Sequence, residues 1–239
     1  MMQPYHICLT YRLKFQSPFH CGTGLTNGLI DRSVQKDKEG FLYVPGSTVK
    51  GVLRETCEYL ARILIPNADI RDPHDEENAL ESFFEESDIV ECIFGSRYHE
   101  SEIFFDNACM TWESKEYRFM QTENRTQTRL SRLTGTVMSG ALYSIEFGIS
   151  GLEFEGKIRG WLEGISNPFS DDLPGSYPLY LLIAGLSMTD RIGANRSTGM
   201  GYCQFNIQEL TVNANETNPF VYLEKIEDFT GYDDARKEA

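Results

Sequence analysis

A short stretch in the first quarter of the chain, YVPGSTVKGVLRE, contains the residue types that proteins use to grip phosphate groups. It runs from Tyr43 to Glu55 and places two glycines, a Ser-Thr pair and a lysine before an apolar pattern. A Walker A nucleotide loop has the order G-x-x-x-x-G-K-[ST], whereas here Lys50 precedes Gly51. This order argues against nucleotide hydrolysis, but a glycine-bearing turn before an open helix N-terminus still favours an anionic ligand.

The residues after this turn predict a helix that ends before Pro66. Ser47 or Thr48 is expected to cap it, and Lys50 and Arg54, four residues apart, share its polar face. The helix is predicted because apolar residues recur at helical spacing. These residues are Val49, Val52, Leu53, Cys57, Leu60, Ala61 and Leu64.

Two further segments combine positive charge with little core-forming pattern. Residues 117–140 contain few regularly spaced apolar positions, so we interpret them as an arm that leaves the body of the protein. Its candidate phosphate contacts are Arg125, Arg129 and Arg132. The second segment, RIGANRSTGMG, is a glycine-rich loop before the last strand. Its candidate binding residues are Gly193, Asn195, Arg196, Gly199 and Gly201.

The remaining elements alternate between strands and helices. Tyr5 to Phe15 reads as a strand, residues 79–92 as a helix, SEIFFDNACMTW and EFEGKIRGWLEG as strands, YPLYLLIAGLSMTD as a buried helix, and YCQFNIQELTV as the last strand. The helix predicted to end before Pro66 follows the first strand, and residues 79–92 belong to an insertion after that helix. The order of the main elements is then strand, helix, strand, strand, helix, strand, which is that of a ferredoxin-like α+β sandwich. The acidic tail is expected to be marginally ordered.

Charge is distributed unevenly along these 239 residues. The net charge of −14 argues at first against a nucleic-acid partner, because phosphate binding depends on lysine and arginine. Residues 69–116, however, hold 15 acids against 3 Lys and Arg, a balance of −12. The rest of the chain is therefore close to neutral and can carry local basic patches.

Other composition signals limit the function classes. The six cysteines include no C-x-x-C pair and the four histidines are isolated, so neither a zinc knuckle nor a disulfide framework is indicated. No apolar run approaches the roughly 18 residues of a membrane span, and no basic start precedes an apolar run. We expect a cytoplasmic protein with no membrane partner and no organic cofactor.

Several motifs together resemble the RAMP superfamily of CRISPR-associated proteins. LIDRSVQKDKEGFLYVPGSTVKGVLRE resembles the N-terminal signature, in which a Pro-Gly-Ser turn opens the first helix. RLSRLTGTVMSGALYSIE is similar to the arm signature, and RIGANRSTGMGYCQF to the glycine-rich loop. CIFGSRYHESEIFFDNA, an aromatic-glycine pair followed by a predicted strand that ends in Asp-Asn-Ala, also resembles this superfamily. The likeness is strongest to the repeated backbone subunit of type III CRISPR effector complexes, which cleaves target RNA.

The resemblance implies a ferredoxin-like (RRM-like) palm with an inserted helical and acidic segment and a protruding thumb-like arm. The expected organisation is a single domain over residues 1–218, with the acidic insertion at 69–100 and the arm at 117–140. Residues 219–239 form the acidic C-terminal tail.

The resemblance also implies the site. Asp31 lies at the position of an aspartate required for metal-dependent cleavage, so it is the candidate catalytic residue and ligand of a divalent metal such as Mg²⁺. Guide RNA would meet Ser47, Lys50 and Arg54, and His20 and Arg32 are further RNA-binding candidates. The arm and the glycine-rich loop would add the contacts named above.

The implied partners are CRISPR RNA, target RNA, and copies of the chain itself or other RAMP subunits in a multi-subunit effector complex. Three other functions remain open at this stage. The chain could be a scaffold subunit that binds guide RNA without cleaving, an endonuclease that processes CRISPR repeats, or a protein-interaction subunit that binds no RNA.

Overall fold

The computed structural model describes residues 4–26, 28–65, 70–72, 87–165, 174–232 and 234–235. It confirms the α+β class: antiparallel strands form a main sheet, and a hairpin forms a second, two-stranded sheet. The strands are β1 (Tyr5–Phe15), β2 (Tyr43–Val44), β3 (Ile103–Phe105), β4 (Ala108–Met110), β5 (Thr122–Leu130), β6 (Val137–Gly148), β7 (Glu153–Leu162), β8 (Cys203–Val212) and β9 (Asn215–Glu216).

Five α-helices and two 3-10 helices occur in the described ranges. The α-helices are α1 (Gly46–Leu64), α2 (Ile89–Phe94), α3 (Trp112–Lys115), α4 (Tyr177–Met188) and α5 (Pro219–Glu224). The 3-10 helices are Arg196–Thr198 and Ile226–Gly231. Among these described helices, none is both long and apolar enough to cross a membrane.

Strand β1 lies at the centre of the main sheet. It pairs antiparallel with β7 on one side and with β8 on the other, and the sheet order is β2-β4-β7-β1-β8-β9, with β3 also paired to β7. Its odd-numbered residues are buried, whereas the even-numbered residues between them are partly or fully exposed. This period of two, which was visible in the sequence, means that only one face of β1 is covered by the core.

Helices α1 and α4 pack closely against each other. The thiol of Cys57 donates to the carbonyl oxygen of Leu181 at 3.6 Å, and a Cβ on Gly185 would lie only 2.5 Å from the Cys57 sulfur. Helix α1 buries one stripe of its surface, whereas α4 is buried from Tyr177 to Leu186. A helix that is apolar on all sides needs neighbours on more than one side.

The C-terminal segment supplies one of those neighbours. We expected a marginally ordered tail, and this prediction is wrong for residues 219–232, which contain α5 and a 3-10 helix. Tyr222 packs against Tyr180 with ring centroids 5.1 Å apart, and Phe229 packs against Tyr177 at 5.3 Å. These aromatic contacts cover α4. The acidic composition of the segment gave no sign that Tyr222, Phe229 and Tyr232 belong to the core.

The acidic insertion and the strand after it also differ from the sequence prediction. The described helix in this region begins at Ile89, and residues 79–86 of the predicted helix lie outside the described ranges. Asp88 caps it, and Glu91 pairs with buried Arg71 at 2.9 Å. The strand predicted in SEIFFDNACMTW is two short strands, β3 and β4.

Strands β5 and β6 form a hairpin over residues 122–148, which overlaps the arm expected at 117–140 and extends beyond it. From here on, the arm means this hairpin. The pairing of the two strands runs from Thr122 opposite Gly148 to Leu130 opposite Val137. The outer part of the arm is exposed, while the last residues of β6, from Ile145 to Gly148, are buried. The arm therefore projects from a buried root, which we define as residues 144–148.

Candidate nucleic-acid interface

Helix α1 begins differently from the sequence prediction. Pro45 is the N-cap residue, Gly46 is the first helical residue, and no side chain caps the helix. The prediction that Ser47 or Thr48 caps it is therefore wrong. The Asn107 side chain instead accepts the N–H of Gly46 at 2.9 Å, which satisfies one of the amides that a helix start leaves unpaired.

Gly46 is required by packing, not by a ligand. It is buried, and a Cβ at this position would overlap the backbone carbonyl of Phe105. Gly51, one turn later, is exposed, and its Cβ would meet no atom within 4 Å. Of the two glycines in the PGSTVKG stretch, only Gly51 leaves open surface that a ligand could approach.

A shallow pocket of about 360 Å³ opens at the start of α1. Ser47 and Lys50 line it together with Ser96 and His99 from the segment after α2. The Lys50 ammonium lies 5.8 Å from the centre of the Phe105 ring. Partial burial, and next the charge of Arg54, lower the pKa of Lys50. An anion in the pocket would favour the charged form of Lys50 and so raise its pKa again. The positive end of the α1 dipole at the pocket also favours an anion.

Arg54 is held by the protein itself. Its Nε donates to Glu58 at 2.9 Å and its Nη1 donates to the carbonyl oxygen of Gly95 at 2.9 Å. The side chain is about one-fifth exposed. Arg54 therefore ties α1 to the segment after α2, and its charge is paired with that of Glu58.

Asp31 lies where the loop after β1 meets the arm. Its Oδ2 accepts the backbone N–H of Ser144 at 2.7 Å, and its own N–H donates to the Ser144 carbonyl at 2.9 Å. Arg32 pairs with Ile145 in a parallel bridge, and its side chain is exposed. Asp31 is exposed as well, and its Oδ1 makes no hydrogen bond with the described residues. One carboxylate oxygen is thus fixed and the other faces solvent.

His20 is buried beside this junction and is not exposed to a ligand. Its Nδ1 is 2.7 Å from the carbonyl oxygen of Glu146, so Nδ1 carries the proton in this bond. Its own carbonyl accepts the N–H of Ala194 at 2.9 Å. His20 therefore joins three segments: the loop after β1, the arm root and the glycine-rich loop.

The glycine-rich loop packs against the loop after β1 because its glycines allow close approach. A Cβ on Gly193 would lie 2.6 Å from the carbonyl oxygen of His20, and one on Gly201 would overlap the Ile192 carbonyl. Gly199 has a positive φ of 88° and open space around it. Asn195 also adopts the left-handed conformation, with φ of 61°. This tight turn brings residues 193–201 next to the Asp31 junction.

Arg196 links the glycine-rich loop to α1. Its Nη1 donates to Glu55 at 2.9 Å, and its carbonyl oxygen accepts Nη1 of Arg191 at 3.0 Å. A groove of about 930 Å³ runs between α1 and this loop, and Tyr59, Arg62, Arg191 and Arg196 contribute to its lining. The Arg196–Glu55 contact places the glycine-rich loop beside the middle of α1.

The three arm arginines have different surroundings. Arg125 pairs with Glu123, its Nη1 lies 4.0 Å from the sulfur of Met200, and it stacks on Phe147 at 5.5 Å. Arg129 and Arg132 are exposed and make no ion pair with the described residues. Arg125 thus positions the arm root against the glycine-rich loop, while Arg129 and Arg132 are available to a ligand.

Sequence reasoning missed two features of this region. The outer arm exposes apolar residues, namely Leu130, Leu133, Val137, Met138 and Leu142. The arm root also contains a buried acid, Glu146. The signal that could have revealed Glu146 is its position as the single acid within the apolar segment YSIEFGI. An acid buried in such a segment needs a partner for its charge, so the segment pointed to a contact with another part of the chain.

The donor set around Asp31 does not form a metal centre built by the protein alone. Within the described ranges, no group of three or more His, Cys, Asp or Glu side chains is arranged to hold a metal ion. Asp31 offers one oxygen, and Mg²⁺ prefers six oxygen ligands. The metal predicted at Asp31 therefore stays a prediction.

The sequence model of the RAMP superfamily matches residues 12–204, more than half of the chain. The chain belongs to the RAMP superfamily. The matched range of this RAMP protein includes the loop after β1, α1, the arm and the glycine-rich loop, so the elements that meet at Asp31 all lie within it. No curated protein matches the sequence.

Proposed function

We propose that this RAMP protein is a backbone subunit of a type III CRISPR ribonucleoprotein that binds guide RNA and cleaves complementary target RNA. The family makes it a CRISPR-associated RNA-binding subunit. The finer proposal rests on Asp31: an exposed carboxylate is held through one oxygen at the junction of the arm, the loop after β1 and the glycine-rich loop.

In this proposal the main sheet is a ferredoxin-like palm and the arm is a thumb. The sheet order β4-β7-β1-β8, with α1 after β1 and α4 after β7, supports the palm assignment. The separate β5-β6 sheet with an exposed outer part supports the thumb. Other copies of the chain or other RAMP subunits would continue the surface along one guide RNA.

Guide RNA would lie along the face that carries the exposed cations and open backbone. The pocket at the start of α1 offers Ser47 and Lys50 to phosphate oxygens, and Gly51 permits close approach. Arg129 and Arg132 offer charge from the arm. The exposed Arg32 and the glycine-rich loop supply contacts near Asp31. The His20 ring is buried and would not contact the RNA directly.

Cleavage would use a nucleophile that RNA carries itself. The 2′-hydroxyl gives its proton to the Asp31 carboxylate as its oxygen attacks the adjacent phosphorus. The bond from phosphorus to the 5′-oxygen breaks, and the 5′-oxygen takes a proton from water, so that the products end in a 2′,3′-cyclic phosphate and a 5′-hydroxyl. The protein must hold the backbone in line and place a proton acceptor nearby. Asp31 has one oxygen positioned by Ser144 and one exposed to such a substrate.

A non-cleaving guide-RNA scaffold is the second candidate. It is favoured by the same hydrogen bond, because accepting the Ser144 N–H is a sufficient structural role for a loop aspartate. The two candidates share the RNA contacts and differ only in what the exposed oxygen of Asp31 does.

Salt dependence tests the shared RNA contacts. We expect the affinity for guide RNA to fall steeply with salt, and Lys50→Gln and Arg132→Gln each to reduce the slope of log K against log salt by about 0.7. Affinity would be measured by fluorescence anisotropy from low to high salt. Lys225→Gln, which removes one charge after α5 at the C-terminal end, is the matched control and should leave the slope unchanged. Equal slopes for all four proteins would contradict the proposed contacts.

A further inference from the structure

The buried acid Glu146 joins the arm root to the segment that carries Asp31. Its Oε2 accepts the backbone N–H of Val34 at 3.2 Å, and its Oε1 pairs with the ammonium of Lys36 at 2.5 Å. The Glu146 backbone N–H donates to the Arg32 carbonyl at 2.9 Å. The carboxylate is 7% exposed, whereas Lys36 is 36% exposed. One residue of β6 therefore contacts the segment 32–36 at three points.

The same strand, β6, also contacts Asp31. The carbonyl oxygen of Ser144, two residues before Glu146, accepts the backbone N–H groups of Asp31 and Arg32, and the Ser144 N–H donates to the Asp31 carboxylate. Arg32 bridges Ile145 of β6 in parallel, whereas Val34 bridges Gly22 and its N–H reaches β6 through the Glu146 carboxylate. The placement of residues 31–34 against β6 therefore depends on Ser144 at one end and on Glu146 at the other. The Ser144 end uses backbone and one exposed carboxylate. The Glu146 end is buried and charged, and it supplies the stronger constraint.

We propose that Glu146 is a positioning residue that fixes the Asp31 segment on the arm root, so that the position of Asp31 follows that of the arm. Residues along a strand are spaced by about 3.3 Å, so a slip of one residue between β6 and segment 31–34 would move the Asp31 carboxylate by about that distance. Displacements of this size remove in-line geometry at a reacting phosphate. The catalytic part of this proposal rests on the proposed function.

The alternative is that Glu146 only neutralises Lys36 and fills space. Both roles involve burial, so stability alone does not distinguish them. They differ in whether the backbone amides of residues 31–34 lose protection when the carboxylate is removed, and in whether cleavage falls without loss of RNA binding.

Hydrogen exchange of the full chain tests the positioning role independently of activity. In Glu146→Ala we expect the amides of residues 31–34 to exchange at least about tenfold faster, because a buried hydrogen-bonded anchor is lost, while the β1-β7 pairing stays protected. Glu146→Gln should recover part of the protection, since its amide oxygen can still accept the Val34 N–H. Glu153→Gln, which breaks the Lys14 pair on β7, is the matched control and should not change exchange in 31–34.

Cleavage by the ribonucleoprotein assembled with its guide RNA is the second measurement. Glu146→Ala should cleave target RNA about tenfold more slowly at saturating target, with guide affinity changed less than about twofold, and Glu146→Gln should fall between it and the parent. Unchanged exchange in Glu146→Ala would overturn the positioning role, and so would faster exchange with unchanged cleavage. If Asp31→Ala itself cleaves normally, the proposed cleavage fails, and the exchange result alone decides whether Glu146 holds the segment.

Discussion

Asp31→Ala is expected to slow target-RNA cleavage by at least about a hundredfold, within the range for loss of a positioned acid-base group, while guide-RNA affinity changes less than about twofold. The reason is that Asp31 presents one unpaired oxygen to solvent and contributes no positive charge to the RNA-binding face. Cleavage would be measured under single-turnover conditions in the assembled ribonucleoprotein. The remaining product, if any, should carry the same 2′,3′-cyclic phosphate ends.

Asp31→Asn provides the matched control for the structural role of this side chain. Asparagine can still accept the Ser144 N–H through its amide oxygen, so the loop and the arm root should stay in place. We expect it to lose cleavage almost as fully as alanine does. If Asp31→Asn cleaves at the parent rate, the side chain acts only as a hydrogen-bond acceptor for the arm, and the scaffold function is the correct one.

The second large effect is expected from two glycine substitutions in the same helix. Gly46→Ala should lower the free energy of unfolding by about 3 kcal/mol, the upper end for overpacking, because its Cβ would overlap the Phe105 backbone carbonyl, which cannot rotate away as a side chain can. Gly51→Ala should instead raise it by about 0.5–1 kcal/mol, because Gly51 is an exposed helical position with open space. Urea unfolding followed by circular dichroism gives both values.

The two variants, Gly46→Ala and Gly51→Ala, show whether a glycine is needed at each position for packing or for the approach of a ligand. Equal stability of Gly46→Ala and the parent would show that α1 can shift away from β3 at little cost, and would contradict the packing of the helix start. A destabilised Gly51→Ala would contradict the exposed position of Gly51. RNA affinity of Gly51→Ala then reports how closely the guide approaches α1.

Local pattern was enough to predict the elements whose burial repeats regularly. The alternation in Tyr5–Phe15 predicted β1, and the apolar spacing after Gly46 predicted α1, because each side chain's burial follows from its own position in the repeat. The same reasoning failed at the start of α1. Residues adjacent in the sequence predicted Ser47 as the helix cap. The backbone N–H of Gly46 instead donates to the side chain of Asn107, which is 61 residues away.

The candidate site was predicted only in part for a similar reason. Motif order pointed to Asp31, Lys50 and the glycine-rich loop, but not to how they are arranged. Asp31 is held by Ser144, and Val34 in the same segment is held by Glu146, both more than 100 residues later in the chain. Arg54 and Arg125 looked available for phosphate in the sequence, yet each has a carboxylate partner in the fold. Such pairings depend on tertiary contacts that no local pattern contains.

Sequencing the RNA that co-purifies with the chain, expressed with the other proteins and the CRISPR array of its source, tests the central claim most directly. The account predicts a uniform population of CRISPR RNA that is retained at low salt and reduced in the Lys50→Gln, Arg129→Gln, Arg132→Gln triple variant. Recovery of no RNA, or of cellular RNA without enrichment of CRISPR sequences, would contradict a guide-RNA-binding subunit.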